Sequence, residues 1–137
     1  MKRFLLMYGI KELGLLILRF GIGLIFVRHG FGKIIAGKQT WIALGGAMSN
    51  FGITFAPMIW GLLAAFAESF GGIFLVLGYY TRIASFFMAF VMFVAVIMHL
   101  KKGDDWTTVS HPLALLIVFI SLMLMGSGRY SLDSRIW

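Results

Sequence analysis

Two ionisable side chains, Arg19 and Glu68, interrupt long apolar stretches of this sequence. Arg19 lies about 9 Å into the first stretch at a helical rise of roughly 1.5 Å per residue, and Glu68 lies near the middle of the second. A charge placed in membrane hydrocarbon costs about 2.5–3.5 kcal/mol on insertion scales, and such groups mark functional sites by default. We therefore expect Arg19 and Glu68 to meet inside a helix bundle, or Glu68 to be protonated.

Two interpretations of these side chains stay open. In the structural one, a buried Arg19–Glu68 ion pair fixes the register of two helices. In the functional one, Glu68 handles protons or binds a ligand, while Arg19 stabilises negative charge on that ligand. The second interpretation makes Glu68 and Arg19 the candidate catalytic residues.

A polar stripe on one helix face extends this candidate site. At about 100° per residue, Lys33 lies roughly 40° and His29 roughly 80° from Arg19. Gly23 and Gly30 lie along the same helix and would let another helix approach closely. By the same count Glu68 and Arg82 share a face in the second stretch.

The three histidines form a separate candidate group, because His29, His99 and His111 are each predicted near one membrane surface. Three imidazoles can hold zinc or copper, and two facing ones can ligate haem. The alternative is that each histidine bonds a nearby loop, and we predict no metal site. The sequence has no cysteine, so redox chemistry here needs a bound cofactor, with quinone the leading candidate, or a partner protein.

The composition indicates that most of this chain is surrounded by membrane lipid. Of its 137 residues, 61% are hydrophobic and only 12% are charged, against about 25% charged in ordinary soluble domains. A globule of this length cannot bury so much apolar surface, which excludes a soluble enzyme and a disordered chain. The net charge of +7 fits cations that flank membrane spans and face anionic headgroups, rather than nucleic-acid binding.

Apolar runs predict an all-α integral membrane protein, a bundle of four transmembrane helices in a single domain over residues 1–137. The predicted spans are about 13–31, 57–79, 83–100 and 112–125. Residues 1–12 are predicted to form a short cytoplasmic segment or interfacial helix. The apolar, glycine-rich connection 34–56 is too short for a fifth span, so we expect an amphipathic or re-entrant segment there.

Helix ends are predicted from proline, N-cap and glycine residues, and the orientation of the chain in the membrane is predicted from its charged residues. Pro57 and Pro112 suit the first turn of a helix, with Ser110 as the N-cap before Pro112 and a stop at 126–128. Six cations lie on the side of the termini and four on the other, which predicts cytoplasmic termini. The tryptophans are expected to form an interfacial belt, at Trp41, Trp60, Trp106 and Trp137.

Three ordered groups of residues carry a family resemblance. They are Arg19…Gly23…His29-Gly30…Lys33, then Glu68-x-x-Gly71-Gly72…Gly78-x-x-Thr81-Arg82-x-Ala84, and finally Gly126-x-Gly128-Arg129-Tyr130-Ser131-Leu132-Asp133. The set resembles the DoxX family of small bacterial and archaeal membrane proteins. The resemblance implies a four-helix bundle in the cytoplasmic (inner) membrane.

The functions implied by the resemblance are heterogeneous. Some family members are subunits of a thiosulfate:quinone oxidoreductase, and others belong to membrane complexes that handle oxidative and thiol stress. Arg19, Lys33, Glu68 and Arg82 match family-pattern positions. Where members often have an acidic residue near the start of span four, this chain has Ser110-His111-Pro112. If that acid handles protons or substrate, then either His111 replaces it or this member lacks the activity.

These observations favour a quinone- or lipophile-binding component of a redox or oxidative-stress membrane system. The candidate ligand-binding residues are Arg19, His29, Lys33, Glu68 and Arg82, and a soluble or membrane-bound redox partner protein would bring electrons. One alternative is a structural or assembly subunit of a membrane complex, in which Arg19 and Glu68 only staple two helices. Another is a small proton-coupled transporter, and no residue argues for or against a homo-oligomer.

Overall fold

Helices make up most of residues 2–136, the part of the chain that the computed structural model describes. The elements in chain order are α1 (Lys2–Ala36), α2 (Lys38–Gly45), a 3-10 helix (Gly46–Phe51), α3 (Pro57–Leu77), α4 (Thr81–Lys102), α5 (Trp106–Met125) and α6 (Asp133–Ile136). No strand occurs within this described range. The all-α prediction is therefore confirmed.

Three helices of the described chain, α3, α4 and α5, are long and apolar enough to cross a membrane. Their 21, 22 and 20 residues correspond to about 30–33 Å, which matches the roughly 30 Å hydrocarbon core. The chain is a multi-pass membrane protein in contact with lipid. The predicted spans 57–79 and 83–100 lie within about two residues of α3 and α4.

The first helix is longer than predicted. α1 runs without interruption through 35 residues, about 52 Å at the helical rise, so the predicted boundary between a segment 1–12 and a span 13–31 is not formed. Its residues carry charges at intervals, including Lys11, Glu12 and Arg28, which is why apolar run length alone placed a boundary there.

Close packing of glycines joins α1 to α3. A Cβ atom at Gly23 would lie 2.7 Å from the carbonyl oxygen of Gly72, and one at Gly30 would lie 2.3 Å from Ser69 Oγ. The prediction that Gly23 and Gly30 admit another helix is confirmed. α3 packs on α4 and α4 on α5, and the rings of Phe26 and Phe119 meet edge-on at 5.0 Å between α1 and α5.

The start of α5 corrects the sequence prediction. The helix begins at Trp106 rather than 112, and its N-cap is Asp105 rather than Ser110. The Asp105 carboxylate accepts hydrogen bonds from the Thr107 backbone N–H at 3.2 Å and from Thr108 Oγ1 at 2.7 Å, as an N-cap should. Pro112 consequently lies inside the helix. The predictions of Pro57 as the first residue of α3 and of a stop at Gly126 are confirmed.

The connection between α1 and α3 folds back onto the bundle. α2 and the 3-10 helix lie against α3 and α4, and this pair, residues 38–51, is called the roof segment below. Whether it enters the membrane stays a prediction. Trp41, Trp60 and Trp106 belong to α2, the start of α3 and the start of α5, while Trp137 of the predicted belt lies outside the described residues.

Candidate functional site

A buried lysine–carboxylate pair joins α1 to the middle of α3. Lys33 Nζ donates to both carboxylate oxygens of Glu68, at 2.8 Å to Oε1 and 2.6 Å to Oε2. The Glu68 side chain is 2% exposed and that of Lys33 is 31% exposed. Glu68 is the twelfth of the 21 residues of α3, so it lies near the middle of that helix. Its carboxylate is held by a cation that reaches it from the last turns of α1.

The expected Arg19–Glu68 contact is wrong. Within residues 2–136 the only lysine or arginine that forms a salt bridge with Glu68 is Lys33. Arg19 lies further toward the other end of the bundle, because α1 and α3 run antiparallel and Gly23 already faces Gly72. Of the predicted polar stripe, Lys33 meets Glu68, Arg19 is buried elsewhere in the bundle, and His29 is exposed.

A cavity of about 590 Å³ lies beside this pair, between the roof segment, α3 and α4. Its volume falls in the range of small-molecule sites, about 300–1,000 Å³. The lining is apolar apart from Lys33, Glu68 and Thr40. The roof segment contributes Leu44 and Met48, and the rest of the apolar wall comes mostly from α3 and α4, including Trp60, Leu63, Ala64, Ala67, Phe87, Phe90, Val91, Met92, Ala95 and Met98.

Arg19 occupies a different site, at the opposite end of α3. Its side chain is 1% exposed, and its guanidinium donates to the carbonyl oxygens of Leu75 at 2.9 Å, of Val76 at 3.2 Å and of Tyr130. The last carbonyls of a helix have no intrahelical partner and carry the negative end of the helix dipole. Arg19 thus neutralises the C-terminal end of α3.

The C-terminal residues 126–136, called the clasp below, bind the same end of the bundle. The Asp133 carboxylate accepts the backbone N–H groups of Tyr80 at 2.8 Å and of Thr81 at 3.1 Å, so it caps the start of α4 from a distant part of the chain. The Asp133 backbone N–H donates to Gly78 O at 2.9 Å. The Arg129 backbone N–H donates to Glu12 Oε2 at 2.5 Å, which ties the clasp to α1.

The remaining predicted site residues do not converge on the cavity. His29 is exposed on α1, and Arg82 is exposed beside the clasp. His99 Nδ1 lies 2.6 Å from Asp104 Oδ2, and His111 is exposed. Among residues 2–136 no three possible metal ligands gather, so the described chain does not assemble a metal site from His29, His99 and His111.

Two contacts of the structure were not predicted from the sequence. The Lys33–Glu68 pair had a signal, because Lys33 lies on the stripe with Gly23 and Gly30, which face α3. The Asp133 cap had none, since its partners are backbone N–H groups about 50 residues away. Residues of one sequence pattern thus divide between a cavity with an ion pair and a structural clasp.

Fold and site together define a multi-pass helical membrane protein with a buried ion pair on the wall of an apolar cavity. A model of the DoxX family matches residues 14–100, more than half of the chain, so the protein belongs to the DoxX family. The matched range contains Arg19, Lys33, Glu68 and Arg82 and ends before the clasp.

One curated relative was found by sequence. It is the Bacillus subtilis (strain 168) protein named "Putative oxidoreductase CatD", which is 30% identical over 122 residues. The match covers 89% of this chain and 86% of that protein, so the similarity extends over nearly the whole length of both. No solved structure matches the chain.

Proposed function

We propose that this protein binds a membrane-dissolved, quinone-like lipophile as a component of a redox or oxidative-stress membrane system. The observation that carries the proposal is the apolar cavity whose wall holds the Lys33–Glu68 pair. An ammonium group has three N–H donors, and two of those of Lys33 go to Glu68. The third is left for an oxygen of a ligand in the cavity.

The donor set fits a ring carbonyl on an otherwise apolar molecule. Small-molecule sites are mostly apolar, with a few polar groups that fix orientation, and here the charged groups are Lys33 and Glu68, which are bonded to each other. Reduction of a quinone to a quinol takes up two electrons and two protons. Lys33 Nζ and Glu68 Oε atoms can hold and transfer protons at the ligand oxygen, whereas the electrons come from a redox partner protein. The relative named as an oxidoreductase supports a redox role for this protein.

Arg19 has a different role in this proposal. Its guanidinium is engaged with three carbonyl oxygens and is not among the residues that line the cavity. It therefore supports the helix ends that position the site rather than stabilising an anionic ligand. Glu68 and Lys33 are the ligand-binding pair, while His29 and Arg82 lie outside the cavity lining.

The membrane arrangement we propose has four spans, in which α1 crosses the membrane together with α3, α4 and α5. α1 packs along α3, and its roughly 52 Å exceed the hydrocarbon core by about 20 Å, so one end extends into the headgroups or beyond. The excess of cations on the side of the termini favours both termini in the cytoplasm of a bacterial or archaeal cell. The roof segment then lies at the outer face as an interfacial or re-entrant element.

Native mass spectrometry, with a visible absorption spectrum, of mildly solubilised protein tests whether a quinone-like ligand is bound. The wild type is compared with Glu68→Gln, and Glu12→Gln serves as the control because that carboxylate bonds the clasp. We expect a quinone-sized mass in the wild type and in Glu12→Gln that is lost in Glu68→Gln. Equal retention of the mass in all three proteins, or its absence from all three while added quinone fails to bind, contradicts the proposal.

An assembly subunit is the second candidate, because Arg19 already shows that one intramembrane charge serves helix ends in this fold. If the Lys33–Glu68 pair were only a staple of this kind, replacing both residues with apolar ones would leave function intact at normal protein levels. The transporter alternative instead requires a proton or cation flux in vesicles that depends on Glu68.

A further inference from the structure

We propose that the cavity is entered sideways from the lipid, through a portal between α3 and α4 formed by Leu63, Phe87 and Phe90. This inference rests on the proposed function, in which the cavity binds a lipophile. It adds where that lipophile comes from and which part of it enters first. Three features carry it: a fixed roof, exposed lining residues on two membrane-spanning helices, and a charged pair, Lys33 and Glu68, in an otherwise almost entirely apolar lining.

The roof segment cannot swing open without breaking close backbone contacts. A Cβ atom at Gly45 would lie 1.6 Å from Pro57 O, and one at Gly61 would lie 1.7 Å from Trp41 O. Two such glycines let α2 and α3 touch through their backbones. No side chain lies between the two helices at these points that could move aside to open a path.

Hydrogen bonds hold both halves of the roof segment to the bundle. Trp41 Nε1 donates to Lys33 O at 3.0 Å, and Lys101 Nζ donates to Asn50 O at 2.6 Å. The first bond ties α2 to the end of α1, and the second ties the 3-10 helix to the end of α4. Entry from the aqueous side through this segment would require these contacts to break.

The portal residues are both cavity lining and outer surface. Leu63, Phe87 and Phe90 line the cavity, yet each is about half exposed. They lie on α3 and α4, two helices long and apolar enough to span the bilayer, so their exposed faces contact acyl chains. The cavity therefore opens toward lipid, and its ligand is a molecule that dissolves there rather than a small water-soluble anion.

The lining of the cavity sets the shape of this ligand. The portal residues Leu63, Phe87 and Phe90 are apolar, and the charged groups of the lining are Lys33 and Glu68. A ligand oxygen that bonds Lys33 therefore lies on the end of the molecule that enters first, while a hydrocarbon tail remains in the portal. The ligand class is a lipophile with a polar, hydrogen-bond-accepting head and an apolar tail.

A cysteine-based block tests the portal, because the chain has no cysteine of its own. Phe87→Cys places a thiol in the portal, and Phe86→Cys is the matched control. Phe86 and Phe87 are 54% and 53% exposed, but only Phe87 lines the cavity. Each variant, reconstituted in nanodiscs, is modified with a benzyl methanethiosulfonate reagent and later restored by a reductant, so that each protein is its own folding control.

The readout is quenching of tryptophan fluorescence by a benzoquinone with a decyl tail. Trp60 lines the cavity. The same measurement on proteins that also carry Trp60→Phe gives the quenching of the other tryptophans, which is subtracted. We expect modification at Phe87→Cys to slow the Trp60-dependent quenching at least about tenfold, equivalent to a barrier raised by ~1.4 kcal/mol. Modification at Phe86→Cys should change it little, and reduction should restore the rate.

A second quencher separates failure of the portal from failure of the proposed function. Nanodiscs of phosphatidylcholine with dibrominated acyl chains report whether lipid chains reach Trp60 through the portal. Bromolipid quenching that falls on modification of Phe87→Cys but not of Phe86→Cys supports the portal, whether or not the quinone binds. Failure of the quinone to quench Trp60 in the same proteins would refute the quinone as the ligand and leave the portal standing. Equal effects at both positions, with either quencher, overturn the lateral portal.

Discussion

Replacing Lys33 and Glu68, singly and together, separates the stability of the ion pair from its use. Lys33→Met leaves the Glu68 carboxylate, only 2% exposed, without a cation. Breaking a buried pair by removing one partner costs about 3–5 kcal/mol, and we expect about 4 kcal/mol here. Glu68→Met should cost less, about 2–3 kcal/mol, because Lys33 is 31% exposed and can turn its ammonium toward the headgroups.

The double variant Lys33→Met/Glu68→Met should regain most of this loss. Apolar residues of similar volume often replace a buried pair at no cost in stability, so its free energy of unfolding should lie within about 1 kcal/mol of the wild type. The coupling between the two positions is then at least about 5 kcal/mol, the two single losses less the loss of the double variant. Binding of the decyl-tailed benzoquinone should be lost in all three variants, since each lacks part of the polar wall.

Equilibrium unfolding in mixed dodecylmaltoside and dodecylsulfate micelles measures the stability, and tryptophan quenching in the same preparations measures binding. A double variant that regains both stability and binding would show that the pair only holds the fold. Additive single effects would show that the two side chains do not interact as the 2.6 Å contact requires. Either result refutes the reasoning behind the ligand-binding pair.

Three further predictions concern the elements around the site. Arg19→Met should lower the free energy of unfolding by about 3 kcal/mol, because three carbonyls lose a charged donor, and Arg19→Lys should recover only part of it, since an ammonium lacks the guanidinium fork; equal stability of both variants in the micelle assay would contradict this. Gly45→Ala should displace the roof segment and abolish quinone binding, whereas Gly46→Ala, whose Cβ would meet nothing within 4 Å, should be tolerated; similar binding by the two would disprove the fixed roof. Hydrogen bonding from Thr108 and its neighbour lowers the pKa of Asp105 below its ordinary 3.8, so its stabilising contribution is present above that value and is lost as pH falls below it; acid titration of helical content should show this loss in the wild type and not in Asp105→Asn.

The sequence was most informative where burial follows periodicity. Apolar runs located α3 and α4 to within about two residues, and Pro57 marked a helix start because its missing N–H costs nothing there. The rotation count predicted His29 and Lys33 near the face of Arg19; Lys33 bonds α3, whereas His29 is exposed. The prediction that Gly23 and Gly30 admit another helix is confirmed, and that helix is α3. These features depend on local spacing, which a single chain displays directly.

Contacts made by backbone groups could not be predicted from local spacing in the sequence. Arg19 binds carbonyl oxygens, and every residue supplies a carbonyl, so no sequence pattern identifies the partner. The expectation of a carboxylate partner rested on Glu68 being the nearest intramembrane acid. The start of α5 was misplaced for a related reason: Pro112 was taken as a first-turn residue, while the Asp105 cap and its two threonines lie in a segment that looked like a polar loop.

Arg19 and Lys33, the two cations of α1 that bond to α3, differ in what their partners can do. The carbonyls around Arg19 do not exchange protons, and the clasp closes over them, so that end of the bundle is suited to holding helix ends together. Lys33 bonds a carboxylate that can gain or lose a proton, and this pair lies against a cavity of about 590 Å³. A stabilising staple has no need of an adjoining cavity, because a void removes packing contacts and costs stability. The fold bears that cost beside Lys33 and Glu68, which argues for a ligand there. Arg19 lines neither this cavity nor the smaller pocket at Arg82, which argues for a structural role at Arg19.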